Sequence, residues 1–127
     1  MKPRDLELLT DCGSLQEHGL VAKRLPDGRL LTNIEQVIVH HSPTGFECGY
    51  CGSGPADLAL NVLHFLIPPT GEFDDVECFN HTKVSREAWM LHQDFKEKFI
   101  ATLPEKGGFI NINQIRAWLE AEQQKQK

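Results

Sequence analysis

The apolar residues of this chain fall into short stretches whose spacing is strand-like in the first half and helical in the second. Residues 3–12 carry Leu6, Leu8 and Leu9, an apolar segment available to dock on a core. From Gly19 to Leu25 the run Gly-Leu-Val-Ala-Lys-Arg-Leu predicts a strand, and Leu30-Leu31 begins a return strand. Between them stands Pro26-Asp27-Gly28-Arg29. Pro pre-sets φ for such a turn and Gly accepts a positive φ, so a β-hairpin is expected. Val37-Ile38-Val39-His40-His41 is β-branched and continuous, the pattern of a central strand buried on both faces. Ser42-Pro43-Thr44-Gly45 ends it, and Phe46 to Cys48 is expected to resume as a short strand.

Helical spacing takes over at Pro55. Proline suits a first helical turn, Gly54 or Ser53 would cap, and Asp57 would complement the helix dipole there. Leu58, Ala59, Val62, Leu63, Phe65, Leu66 and Ile67 leave little polar surface, so this helix should be buried and should end at Pro68-Pro69. Val76 to Phe79 is expected as a short strand carrying Cys78. A second helix, capped at Ser85, should run to about Leu103, with Ala88, Leu91, Phe95 and Phe99 inside and Trp89, Ile100 and Leu103 widening the stripe. Pro104 and Gly107-Gly108 stop it. Asn111 followed by Gln114 is a capping-box pattern for a third helix, with Ile115, Trp118 and Leu119 inward and fraying from Gln123. With no repeats and no linker, residues 1–127 predict one α+β domain: a small antiparallel sheet, made of the N-terminal hairpin plus the central strand, packed on about three helices.

Composition narrows the function classes. At 127 residues, 40% hydrophobic and 24% charged, the chain has the make-up of a soluble domain with a real core. A formal charge of −5 argues against nucleic-acid binding and suits an acidic surface facing a basic partner. No run approaches a membrane span, and Met1-Lys2-Pro3-Arg4-Asp5 lacks a secretory h-region, so a cytoplasmic protein without membrane contact is expected. Four cysteines in that compartment point to metal or plain burial rather than disulfides.

Their spacing favours metal. Cys48-x-x-Cys51 and Cys78-x-x-His81 give C-x2-C followed by C-x2-H, two tight turns that would each aim two side chains at one tetrahedral zinc ion. Cys48, Cys51, Cys78 and His81 are therefore the expected ligands of a structural zinc. Cys12, His18, His40, His41 and His64 are the available substitutes. Four protein ligands leave no open position for catalytic water, and no His is followed two places later by Glu as a zinc deaminase would need. A redox use of the C-x-x-C pair is weakened because Gly52-Ser53-Gly54-Pro55 separates Cys51 from the helix start. The glycine-rich loop could cradle an anion, but Pro55 removes a donor and no Lys follows as in a P-loop. The preferred reading is that glycines let the chain turn sharply under a packed helix. His40-His41 at the end of a strand reads as structural histidine, and Trp89 and Trp118 read as core anchors.

Ser42, Pro43, Gly45, Phe46, Gly49, Tyr50, Gly52, Ser53, Gly54, Pro55, Ala56, Leu58, Ala59 and Leu60 together resemble the shared core of a family of small proteins from phages, prophages and other mobile elements. Phe95-Lys96 and Ile115-x-x-Trp118 extend the likeness over about residues 37–120. The resemblance implies a mobile-element origin and no particular chemistry. Family members often have an aromatic at Cys48 and glycine at Cys51, so the C-x-x-C pair is this chain's own departure. Small zinc-binding phage proteins that inhibit CRISPR nucleases are comparable in character. The expected function is thus a non-enzymatic, phage-encoded inhibitor of a host defence system, working in the host bacterial cytoplasm. Its partner would be a host protein, with a type II CRISPR effector nuclease foremost. The alternatives are a phosphate- or ligand-binding protein or enzyme using the glycine loop, and a phage accessory protein without a host target.

Overall fold

The computed structural model describes Leu9, residues 13–42 and residues 44–125. Most of the expected segment 3–12, with Cys12, lies outside the described residues; Leu9 donates its N–H to the Thr32 carbonyl at 2.8 Å. The chain is α+β. Strand β1 (Gly19–Arg24) and strand β2 (Leu30–Thr32) form the expected hairpin, with Lys23 opposite Leu31. Helix α1 spans Ser53–Leu66, β3 Val76–Glu77, β4 Lys83–Val84 and α2 Arg86–Phe95. A π-helical turn, Lys96–Ile100, continues α2, and β5 (Gly107–Asn111) leads directly into α3 (Ile112–Lys125). Two antiparallel sheets result, one of order β2-β1-β5 and one made of β3 and β4.

The third strand is therefore not Val37–His41 but Gly107–Asn111, which pairs with β1 from Gly19↔Asn111 to Lys23↔Gly107. Gly107 takes φ +105 where a Cβ would run into the Ala22 carbonyl, so the glycines expected to stop a helix instead admit a close strand pair. Residues 36–42 belong to neither sheet, the chain bending at His40-His41, and Phe46–Cys48 is also irregular.

Helix α1 is the buried element: every residue from Gly54 to Leu63 is inside. Gly52 is its N-cap, with no side-chain cap bond, and Asp57 lies beyond the first turn and points inward rather than serving the dipole. The helix stands between two apolar clusters. Leu58, Val62 and Leu63 join Leu20, Phe95, Ile100, Ile110 and Ile115 in the larger one. Leu60 joins Ile38, Cys78 and Val84 in the smaller one, against which Val37, Val76 and Trp89 pack. Each buried leucine stabilises by about 1.5–3 kcal/mol, and α1 contributes Leu58 and Leu63 to the larger cluster and Leu60 to the smaller.

Helix α2 begins where expected, with the Ser85 hydroxyl accepting from the Ala88 N–H at 3.1 Å. Its π turn, closed by Ala101 N–H to the Lys96 carbonyl at 2.8 Å, places Phe95 and Ile100 five residues apart yet both fully buried. The Asn111–Gln114 box also forms: Gln114 accepts from the Asn111 N–H at 3.3 Å, and Asn111 accepts from the Asn113 N–H at 2.7 Å. No helix among the described residues is long and apolar enough to cross a membrane.

Candidate functional site

An apolar helix tolerates an inward polar side chain only if every hydrogen-bonding group on it finds a partner. Helix α1 carries two such side chains one turn apart, Asp57 and Asn61, both 0% exposed. Asn61 Oδ1 accepts from the Val37 and Ile38 N–H groups, each at 2.8 Å. Its Nδ2 donates to the Ile38 carbonyl at 3.0 Å and to the Asp57 carbonyl at 2.7 Å. The Asp57 carboxylate accepts from the N–H groups of His40 (3.2 Å), His41 (2.9 Å) and Ser42 (2.9 Å). Gln36 Nε2 adds a fourth donor to Asp57 at 3.2 Å and also holds the Ser42 carbonyl at 2.8 Å. Two side chains on one helix thus do the work that a neighbouring strand would otherwise do.

From the other side, the turn between β3 and β4 clasps the same segment. Asn80 donates its N–H to the Val39 carbonyl at 3.0 Å and its Nδ2 to the Val37 carbonyl at 3.1 Å. Phe79 donates its N–H to His40 Nδ1 at 3.0 Å. The clamp fixes four rings together. His40 meets His41 and Trp89 edge-on, at centroid distances of 4.8 and 4.9 Å. Trp89 lies 4.9 Å from His92, one helical turn on in α2. His41 Nε2 and His92 Nε2 face each other at 3.0 Å.

The proton positions follow from the partners. His92 Nδ1–H donates to the Trp89 carbonyl, which leaves its Nε2 as the acceptor and makes His41 Nε2–H the donor. Burial pushes the His92 imidazole down to about 4, and it also lowers His41 despite the opposing pull of Asp57. Both rings are neutral at pH 7. The result is a buried lone pair on His92 beside a half-buried His41 that reaches the surface.

The expected zinc ligands are placed otherwise. Cys48 is buried in the larger cluster, its thiol donating to the Pro104 carbonyl at 3.5 Å. Cys51 is exposed. Cys78 sits in the smaller cluster, where burial, reinforced by Asp57, pushes its thiol up to about 11. His81 is exposed in a left-handed conformation, φ 69°, with its Nδ1 3.1 Å from Glu77 Oε2. Among the described residues no three His, Cys, Asp or Glu side chains come together as a metal-holding group. Of the substitutes, His40 and His41 belong to the ring cluster, His18 packs over Gly13, and His64 Nδ1 is buried without a partner among the described residues. In the glycine loop Gly54 lies tightly under the Glu47 side chain, whose carboxylate pairs with Arg24 at 2.8 Å. His92 is the member of the site that linear spacing does not announce, because its partner His41 stands 51 residues earlier.

One further surface stands out. The loop 70–75 is tied by Asp75, whose carboxylate accepts from the Thr70 N–H (3.2 Å), the Thr70 hydroxyl (3.0 Å) and the Gly71 N–H (2.8 Å). That fixed loop holds Phe73 100% exposed between Glu72 and Asp74, and Phe79 on the β3–β4 turn is 72% exposed. Comparison with curated proteins and with solved structures finds no match. Residues 13–121 match the model of a family of unknown function, DUF6166, and the chain belongs to that family.

Proposed function

We propose that the chain acts without catalysis, as a protein-binding module that seats exposed aromatic side chains in a partner's apolar pocket ringed by basic groups. The observation that carries this reading is Phe73, fully exposed on a loop that Asp75 already holds in shape. A side chain displayed from a fixed loop loses little further freedom on binding, which is the condition for an energetic anchor. Glu72 and Asp74 flank it, so the matching surface is basic, in keeping with the formal charge of −5. Phe79 supplies a second anchor from a turn pinned by Asn80.

The resemblance to mobile-element proteins makes a host defence enzyme the partner to test first. CRISPR effector nucleases hold guide and target in positively charged channels, the kind of surface that an acidic, aromatic loop complements. The test is complex formation with purified type II effectors, measured by interferometry across a salt series, together with inhibition of target cleavage. Wild type is expected to bind more weakly as salt rises. Phe73→Ala and Phe79→Ala should each weaken binding about thirtyfold or more, since anchor residues cost about 2 kcal/mol or more on truncation, with unchanged melting. Absence of binding by the wild type across the panel would remove the nuclease reading. Full binding by both variants would remove the anchor assignment.

A further inference from the structure

The His41–His92 pair has the arrangement of two metal ligands. Two imidazole nitrogens bound to one ion at about 2.0–2.1 Å, at angles between square and tetrahedral, lie about 2.8–3.4 Å apart. The two Nε2 atoms are 3.0 Å apart. A ligating histidine characteristically gives its other ring N–H to a backbone carbonyl or carboxylate, which fixes the tautomer and aims the lone pair. His92 does this through Nδ1 and the Trp89 carbonyl. His41 is held by its own backbone, because the buried Asp57 carboxylate accepts its N–H at 2.9 Å. The Gln93 amide reaches to 3.4 Å from His92 Nε2, and turning that amide over brings an oxygen donor to the same place.

We propose that His41 and His92 bind a divalent transition metal of the zinc and copper class through their Nε2 atoms, with at least one coordination position left open. Imidazole donors suit these ions and not magnesium or calcium. An ion between the rings takes the place of the hydrogen bond that now joins them, the His41 proton moving from Nε2 to Nδ1 so that both rings ligate as neutral imidazoles. His40 is outside the set, since its Nδ1 is occupied by the Phe79 N–H. The site shares no ligand with the aromatic binding surface, which touches it only through the Phe79 N–H on His40. It also differs in every ligand from the Cys48, Cys51, Cys78 and His81 set, so the two donor sets predict different outcomes.

The test is titration of the full-length, chelator-stripped chain with zinc against a competing indicator, repeated with cobalt to read the ligand type by absorption. One equivalent should bind, with no thiolate-to-cobalt charge-transfer band. His41→Gln and His92→Gln should each weaken binding at least about tenfold, the loss typical even of a residue that only supports a ligand. Cys48→Ser, Cys78→Ser and His81→Ala should bind as the wild type does. Because His92 is 2% exposed and its replacement strains the fold, the half-buried His41 is the variant that decides, with its melting curve recorded alongside. In wild type, zinc should also shift the two Nε2 resonances of nitrogen-labelled imidazole. No zinc binding, unchanged binding in His41→Gln, or loss confined to the cysteine variants with a thiolate band would each overturn the proposal.

Discussion

Strand β1 and the segment 36–42 face the same problem, a largely buried backbone whose polar groups need partners, and meet it in opposite ways. β1 has a strand on each edge, β2 and β5, so most of its hydrogen bonds are backbone to backbone and spread over many residues; a side chain, that of Asn33, takes only the Val21 N–H and the Gly19 carbonyl. Among the described residues the segment 36–42 has none. Five of its N–H groups go to Asp57 and Asn61, and the Val37 and Val39 carbonyls go to Asn80. A ladder is redundant; a side-chain clamp concentrates the same bonds in a few positions. What the clamp offers in return is placement, since it sets His40 and His41 side by side against α2, which the alternating faces of a strand would not do.

The sharpest way to break the comparison is Asp57→Ala. It leaves three backbone N–H groups unpaired in the interior, at about 1–3 kcal/mol each before water relieves some of them. A loss of about 3–5 kcal/mol in urea unfolding is expected. The exposed sheet position Phe109→Thr should change stability by no more than about 0.5 kcal/mol. Similar losses from the two would mean that the clamp is as redundant as the ladder.

Next in size is the pH response of the ring cluster, measured with a chelator present. The His92 imidazole titrates at about 4 in the folded chain against 6.5 as its ordinary value, so the unfolded chain takes up the proton first. Stability from this group is complete above pH 6.5 and is lost as pH falls toward 4, at up to about 1.4 kcal/mol per pH unit. His92→Gln should flatten that part of the curve. A slope unchanged in the variant would assign the acid sensitivity elsewhere.

The smallest expected effect lies on the far edge of the clamp. His81 takes φ 69° in the β3–β4 turn, a conformation in which a side chain costs about 1 kcal/mol relative to glycine. His81→Gly should therefore raise stability by about that amount, read as a rise in urea midpoint. A loss instead would show that the contact with Glu77 outweighs the backbone strain.

Much of the fold was legible because its signals are local. The Pro26–Arg29 turn, the Ser85 cap and the Asn111–Gln114 box each act within a few residues, and each forms. Helix α1 was readable from its apolar density alone. Sheet membership is not local. Val37-Ile38-Val39 has the composition of a strand, but its hydrogen-bond partners are side chains of a helix that follows it and Asn80 of the β3–β4 turn. Gly107-Gly108 reads as a breaker, yet a backbone without Cβ is what lets β5 approach Ala22. The π turn escapes periodicity because Phe95, Phe99 and Ile100 fit a broad helical stripe equally well. At the site, His40 and His41 stand out as a pair, whereas His92 looks like any helical histidine until the fold brings it across. The C-x2-C and C-x2-H spacings are real in the sequence, but Cys48 and Cys78 pack into different clusters on either side of α1.

That division into two clusters has an optical consequence. Trp118 packs against the larger cluster, 5.4 Å from Phe95 and 6.0 Å from Phe99, while Trp89 packs against the smaller one within the imidazole rings. The chain has no other tryptophan. Each half of the interior therefore carries its own fluorophore, and Trp89→Phe and Trp118→Phe would turn the protein into two single-colour reporters. One would follow the assembly of sheet, α1 and α3. The other, sensitive to quenching by a charged imidazole, would follow the clamp. Whether the two halves come apart together or in turn can then be watched in the unlabelled chain.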